Sequence, residues 1–94
     1  MELRELQILV AVAEEGRVKQ AAARLRCTIP AVRAAIRKLE KEAGTPLFER
    51  FKKHELYLTT AGESLVDYAK RLLSLQDEAL AAVEQVEIGK ACRP

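Results

Sequence analysis

The stretch that decides the fold is RVKQAAARLRCTIPAVRAAIRKLEKEAG, residues 17–44. Its first part predicts a short helix from Val18 to about Leu25, in which two alanines, 21 and 22, lie on one side. Such small residues let a neighbouring helix approach closely. The segment 26–28 then reads as a tight turn, after which a second helix begins.

The second helix of this stretch has start and stop signals at both ends, which bound it to residues 29–43. Thr28 is a good N-cap, and Pro30 falls in the first turn, where its missing N–H costs nothing. Gly44 favours the left-handed conformation that ends a helix, and Pro46 prevents continuation. The residues that helical spacing turns inward are Val32, Ile36, Leu39 and Ala43.

Outward from this stretch, the sequence predicts a helix before it and a hairpin after it. Apolar residues recur at steps of three and four from Leu3 to about Glu15, and Gly16 stands where that helix ends. Two short runs of strand-favouring residues, 47–51 and 55–58, flank a basic tip at 52–54. We therefore expect a small β-hairpin.

The last part of the chain predicts one long helix. The segment Thr60-Ala61-Gly62-Glu63 reads as a capping box with Thr60 as the cap, and the helix runs to about Val86. At 1.5 Å per residue it extends roughly 40 Å, more than so small a domain covers. Its apolar stripe therefore predicts a partner, most simply the same helix of a second copy. The stripe consists of Leu65, Tyr68, Ala69, Leu72, Gln76, Ala79, Leu80 and Val83.

Length and composition exclude several classes of protein. The 94 residues leave room for one domain, and 49% hydrophobic residues argue against disorder. No apolar run approaches the roughly 18 residues of a membrane span, and the charged start MELRE is unlike a signal peptide. Cys27 and Cys92 match no metal or redox spacing and fit a reducing compartment. We expect a single cytoplasmic domain.

The net charge of +2 conceals an uneven distribution. Residues 17–54 hold eleven Lys and Arg against three Glu, a formal charge of +8, and the segments on either side carry −3 each. This pattern is expected when one stretch faces a polyanion and the others do not. A solvated basic face is the alternative, and charge alone does not separate the two.

The helical pair and the hairpin together point to DNA. A helix can enter the major groove when its outer face carries short or flexible side chains and its flanks carry cations. The helix at 29–43 meets both conditions, and a basic hairpin tip suits a minor groove or the phosphate backbone. Two alternatives remain open: a plain three-helix bundle with solvated lysines, and a protein-interaction module whose basic face binds an acidic partner.

Seven linked motifs in order make the chain resemble the N-terminal DNA-binding region of LysR-type transcriptional regulators, from Met1 to about Val86. They are LREL at 3–6, VAVAEEG at 10–16, AAARL at 21–25, PAV at 30–32, IRKLE at 36–40, GTPLFER at 44–50 and LTTAGE at 58–63.

The resemblance implies an all-α fold with a small β-hairpin wing, a winged helix-turn-helix over 1–59. A linker helix over 60–88 would pair antiparallel with its twin in a homodimer, and 89–94 would be a flexible tail. The implied function is sequence-specific binding of double-stranded DNA in bacterial transcriptional regulation, at a pseudo-palindromic site. A small-molecule effector would act only through a C-terminal domain absent from this chain, and no cofactor is expected.

The resemblance also suggests which residues contact DNA, and the chain departs from the family at several of them. Ile29 stands where most members have Gln, and Arg33 and Ala34 stand where Ser and Arg are usual. Our hypothesis is that Arg33 reads guanine and that Arg17 and Lys19 add phosphate contacts. The full predicted set is Arg17, Val18, Lys19, Thr28, Ile29, Pro30, Arg33, Ala34, Arg37, Lys38, Arg50, Lys52, Lys53 and His54.

Catalytic and metal sites find no support in the sequence. His54 is the single histidine, so neither a metal site nor a catalytic dyad can be built around it. Cys27 in the turn is interpreted as a half-buried structural residue rather than a redox sensor. We expect a protein that is not an enzyme and does not bind metal or membrane.

Overall fold

The fold consists of four helices and one hairpin, as the computed structural model describes it for residues 1–50 and 55–89. The predicted class, mostly helical with a two-stranded antiparallel hairpin and a long last helix, is confirmed. The predicted hairpin tip at 52–54, the last residue of the first predicted strand run, Phe51, and most of the predicted tail, 90–94, lie outside the described residues. In chain order the elements are α1 Leu3–Glu15, α2 Val18–Leu25, α3 Ile29–Ala43, β1 Phe48–Arg50, β2 Leu56–Leu58 and α4 Thr60–Gly89.

Helix α1 lies at the centre because its sequence is apolar around most of its circumference. One side, including Leu6 and Leu9, packs against α4 and the residues that follow α3. The other side, including Val12, packs against α2 and α3, where Ala21 is fully buried and allows the close approach that its size predicts. The prediction for Ala43 was wrong, since this residue is exposed in the last turn of α3, beyond the core.

The turn between α2 and α3 is held by backbone bonds and a side-chain cap. Arg26 adopts the left-handed conformation at φ 55°, and the Cys27 N–H donates to the carbonyl of Ala22 at 3.0 Å. The Thr28 hydroxyl oxygen then accepts from the Ala31 N–H at 3.2 Å, as expected of an N-cap. These bonds fix the angle at which α3 leaves the turn.

The hairpin is anchored to the helices at its second strand. Its register pairs Phe48 with Leu58 and Arg50 with Leu56. The Leu56 N–H donates to the carbonyl of Gly16, in the turn between α1 and α2, at 2.9 Å. The wing is thereby attached beside the start of α2.

The predicted cap of α4 was wrong by one residue. Thr59, not Thr60, caps the helix: its hydroxyl oxygen accepts from the Gly62 N–H at 3.0 Å and donates to the carbonyl of Pro46 at 2.8 Å. The Glu63 N–H donates to the Thr59 carbonyl at 2.9 Å. The two threonines have the same capping chemistry, and only Thr59 also reaches Pro46.

Helix α4 projects beyond the rest of the domain, and the chain with this helix included measures 58 Å along its longest axis. Its first half packs on α1 through Val66 and Ala69, and Ala69 is 0% exposed. The prediction that Ala69 belongs to the apolar stripe facing a second copy was therefore wrong, because the protein's own core covers this residue. Leu65 also packs partly against that core. From Leu75 onward the described apolar side chains are largely uncovered.

Candidate nucleic-acid interface

The outer face of α3 is exposed along the helix. Its inward residues, Val32, Ile36 and Leu39, are buried against α1. This arrangement turns Arg33 and Arg37 outward, beside Ile29 at the N-terminus of the helix. Neither arginine forms an ion pair with an acid of the described ranges, 1–50 and 55–89. Their charge is available to an external partner. Thr28, Pro30 and Ala34 are exposed along the same helix and its cap.

A groove of about 660 Å³ runs between α2, α3 and the hairpin. Its lining combines apolar side chains with four cations, so a duplex edge placed there would meet both apolar surface and positive charge. The apolar lining comes from Val18, Ala23, Ile29, Ile36, Phe48 and Leu56. The polar lining comes from the cations Arg17, Lys19, Arg33 and Arg37 and from Gln20 and Glu40. One carboxylate oxygen of Glu40 accepts from the Leu47 N–H at 2.8 Å.

The start of α2 forms one end of this groove. Arg17 is the N-cap residue, with an extended backbone and no side-chain capping bond. The first N–H groups of a helix have no partner within the helix and carry partial positive charge. They lie next to Lys19 and Arg17, which line the groove. Backbone and side chains thus present positive charge at the same place.

An acidic residue of the hairpin borders this basic surface. The Arg17 Nη2 donates to Glu55 Oε1 at 3.3 Å, and the Tyr57 hydroxyl donates to Glu55 Oε2 at 3.1 Å. The hydrogen bond to Glu55 and the charge of that carboxylate raise the pKa of Tyr57, because both favour the protonated phenol. Glu55 and Tyr57 were not predicted as site residues. Their only local signal is their spacing of two residues, which places both side chains on one side of an extended segment.

Lys38 lies apart from the groove, on the side of α3 that faces the start of α1. Its Nζ is 2.9 Å from Glu5 Oε2, and Glu5 is buried. The Glu2 backbone N–H and then the Lys38 ammonium lower the pKa of the Glu5 carboxyl. The hydrogen bond with Glu5 in turn raises the pKa of Lys38. Lys38 therefore has an internal partner, unlike Arg33 and Arg37.

The structure brings together part of the predicted set. Arg50 belongs to β1, while Lys52, Lys53 and His54 lie outside the described residues. The residues that line one groove are Arg17, Val18, Lys19, Ile29, Arg33 and Arg37.

The second predicted surface, on α4, is exposed except at Leu65, Ala69 and Gln76, and exposed apolar side chains extend beyond it. Tyr68, Leu80 and Val83 are more than half exposed, at 56%, 62% and 60%. Leu72, Gln76 and Ala79 lie on the helix between them. Leu75 and Val86, which were not in the predicted stripe, are also exposed.

No metal-binding or membrane-spanning feature occurs in the described part of the chain. Within it, no group of three or more His, Cys, Asp or Glu could hold a metal ion. None of its helices combines the length and the apolar character needed to cross a bilayer.

Proteins similar in sequence match this chain over nearly its whole length. A probable RuBisCO transcriptional regulator of Guillardia theta is 40% identical over 85 residues, which cover 90% of this chain and 27% of that protein. The transcriptional regulator XapR of Escherichia coli K12 is 39% identical over 92 residues, or 98% of this chain and 31% of XapR. The chain thus spans about a third or less of the length of these relatives, which are named as regulators and not as enzymes.

Solved structures of similar fold include two complexes with DNA. The CbnR DNA-binding domain in its DNA complex superposes with a TM-score of 0.86 at 32% identity, covering 92% of this chain and 98% of that one. The BenM DNA-binding domain on benA site 1 DNA gives a TM-score of 0.85 at 35% identity, covering 92% and 99%. The family model described as "Bacterial regulatory helix-turn-helix protein, lysR family" matches residues 3–63, from α1 through the hairpin into α4. Sequence, fold and groove agree, and the chain belongs to the LysR family of bacterial regulatory helix-turn-helix proteins.

Proposed function

We propose that this chain is the DNA-binding region of a bacterial transcriptional regulator and that it binds double-stranded DNA sequence-specifically, with α3 in the major groove. The groove between α2, α3 and the hairpin carries the proposal, because it brings apolar side chains and four cations together, as contact with base edges and phosphates requires. The DNA complexes of the similar CbnR and BenM domains support it. Such a regulator would act in the cytoplasm.

Base recognition is assigned to the exposed face of α3. Arg33 would bond bidentately to a guanine, and Ile29 would contact a thymine methyl group, since its side chain offers no hydrogen bond. Pro30 and Ala34 are short enough to let the helix approach the bases. Arg37, further along the same face, would contact the phosphate backbone.

Phosphate contacts are assigned to the elements around α3. Arg17, Val18 and Lys19 would bind a phosphate at the start of α2, and Thr28 would contact one at the cap of α3. Lys38 would add a weaker contact, because Glu5 already neutralises it. The wing residues assigned to phosphate or minor-groove contacts are Arg50, Lys52, Lys53 and His54.

Dimerisation is assigned to the exposed stripe of α4, paired antiparallel with that of a second copy. Helix α4 has 30 residues, about 45 Å, and its second half lacks cover within the described chain. The working division is a winged helix-turn-helix over 1–59, a linker helix over 60–88 and a tail over 89–94. A dimer would bind two half-sites related by pseudo-palindromic symmetry. An effector would act through a further domain of a longer protein.

The test is selection of duplexes from a random library, followed by a salt titration on the selected duplex. We expect a pseudo-palindromic sequence and a steep fall of affinity with salt, because each neutralised phosphate releases counterions. A protein-interaction module, the competing function, would select no sequence. A salt slope near zero would also contradict DNA binding.

A further inference from the structure

A carboxylate stands where a phosphate-binding surface has no evident use for one. Glu55 pairs with Arg17, which lines the groove together with Lys19, Arg33 and Arg37. A negative charge there repels the DNA backbone. Its presence calls for a physical reason.

The position of Glu55 is set from three sides. Arg17 bonds one carboxylate oxygen at 3.3 Å and the Tyr57 hydroxyl bonds the other at 3.1 Å. The next backbone N–H, that of Leu56, donates to Gly16, the residue before Arg17, at 2.9 Å. Both partners of the ion pair therefore flank one backbone bond between the hairpin and the helical pair. The contact between Arg17 and Glu55 therefore depends on how the hairpin packs against the helical pair.

Stability does not account for this arrangement. The side chains of Arg17 and Glu55 are 46% and 41% exposed, and ion pairs this exposed contribute little to folding. The ion pair instead restricts the rotamers of the Arg17 side chain. An unrestrained arginine samples many rotamers and can follow phosphates in many registers, whereas a bonded one presents its remaining donors in one direction.

We propose that Glu55 is a positioning residue that fixes Arg17 and so raises discrimination between specific and non-specific DNA; this rests on the proposed function. Non-specific binding is almost entirely electrostatic, so the Glu55 charge weakens it. In the specific complex the pre-oriented Arg17 meets its phosphate without loss of rotamer freedom, which offsets the repulsion. Specificity is the difference between the affinities for specific and non-specific DNA, and Glu55 lowers the affinity for non-specific DNA.

The experiment compares three proteins, wild type, Glu55→Gln and Glu49→Gln, on two probes at one salt concentration. The probes are the duplex that wild type selects from a random library and a shuffled duplex of the same composition. For Glu55→Gln we expect the shuffled duplex to bind about fivefold more tightly and the selected duplex to change less than about twofold. The ratio of the two affinities then falls by at least about 2.5-fold.

Glu49→Gln is the matched control. Glu49 is exposed in the same hairpin, pairs with Tyr57 in register and loses the same charge. It forms no hydrogen bond or ion pair with Arg17 among the contacts of the described residues. Both duplexes should therefore bind slightly more tightly, with the ratio unchanged.

Tyr57→Phe tests the positioning without a change of charge. Loss of the hydroxyl releases Glu55 Oε2, so the selected duplex should bind about twofold more weakly while the shuffled one is unaffected. In Glu55→Gln, ultraviolet titration should find the pKa of Tyr57 nearer its ordinary value, which verifies that the contact was present. An affinity ratio in Glu55→Gln equal to that of Glu49→Gln overturns the positioning role. A wild type that binds both duplexes equally instead contradicts the proposed function itself.

Discussion

Helices α3 and α4 both pack against α1, yet their outer faces differ completely. The face of α3 carries arginines and short side chains, and Arg33 and Arg37 are without acidic partners in the described chain. The face of α4 carries large apolar side chains, among them Leu80 and Val83. A polyanion suits the first face and an apolar surface suits the second. One short chain therefore presents two surfaces for two partners of different chemistry.

The difference depends on length as well as composition. Helix α1 has 13 residues, about 20 Å, so it can cover only the first half of the 30-residue α4. Val66 and Ala69 lie within its reach and are buried. The residues beyond are just as apolar but have no neighbour in the described domain.

The strongest way to break the comparison is to charge the apolar face of α4. In Leu72→Glu/Val83→Glu we expect the dimer to dissociate and affinity for the selected duplex to fall about 100-fold or more, because two half-sites are no longer bound together. Sedimentation equilibrium and fluorescence anisotropy measure the two effects. Ala81→Glu/Gln85→Glu adds the same charges to exposed positions on another side of the helix and should change neither. A monomeric wild type would contradict the assignment of this face.

A second substitution tests how α4 is attached to the domain. Gly62 lies so close to the chain before the hairpin that a methyl group added to it would overlap the Leu47 carbonyl. Gly62→Ala should lower the free energy of unfolding by about 2–3 kcal/mol, as overpacking does at sites that cannot relax. Urea denaturation measures this. Ser64→Ala, exposed in the same turn, should change it by less than about 0.5 kcal/mol. Equal stability of wild type and Gly62→Ala would mean that the turn relaxes freely.

The elements whose ends depend on local chemistry were predicted from the sequence. The end of α1 and both ends of α3 lie where they were expected, because Gly16, Thr28 and Gly44 satisfy these helix ends without help from distant residues. The cap of α4 was missed because Thr59 is selected by the carbonyl of Pro46, 13 residues earlier. Local patterns do not carry that information.

The candidate site was likewise predictable where helical spacing decides it, and not where contacts between distant residues decide it. The outward turn of Arg33 follows from helical spacing within α3, so it could be derived. Periodicity also marked Ala69 as apolar, but it does not say whether α1 or a second copy covers it. The pairing of Arg17 with Glu55 spans 38 residues and depends on how the hairpin docks, so no pattern in the sequence indicates it.

The basic face of α3 is tested by Arg33→Ala. If Arg33 reads a guanine, affinity for the selected duplex should fall about 30-fold, or about 2 kcal/mol, and preference at one base pair should disappear. Repeating the library selection with the variant measures that preference. Arg24→Ala is the control, since Arg24 is paired with Glu14 at 2.8 Å and Glu15 at 3.3 Å, and we expect less than a twofold change. A variant with full discrimination at every position would contradict base reading by Arg33.

The smallest effect is expected at Lys38, on the side of α3 that faces the start of α1, where Glu5 neutralises its charge. Glu5→Gln removes the ion pair and weakens the bond from the Glu2 N–H, so the free energy of unfolding should fall by about 1 kcal/mol at neutral pH. Because folding lowers the pKa of Glu5, this stabilisation is fully present above the pKa of the unfolded chain and is lost as pH falls through the lower folded value. Wild type and variant should therefore converge in acid.

Urea denaturation at several pH values measures that convergence, with Glu78→Gln as an exposed control on α4 that should show no difference at any pH. A difference that persists undiminished in acid would mean that Glu5 acts by packing and not by charge. Glu5→Gln also frees the Lys38 ammonium, so non-specific DNA should bind slightly more tightly. A gain in non-specific affinity would indicate that the ion pair with Glu5 of α1 keeps Lys38 of α3 from contacting DNA. The basic face of wild type would then be limited to the side of α3 that borders the groove.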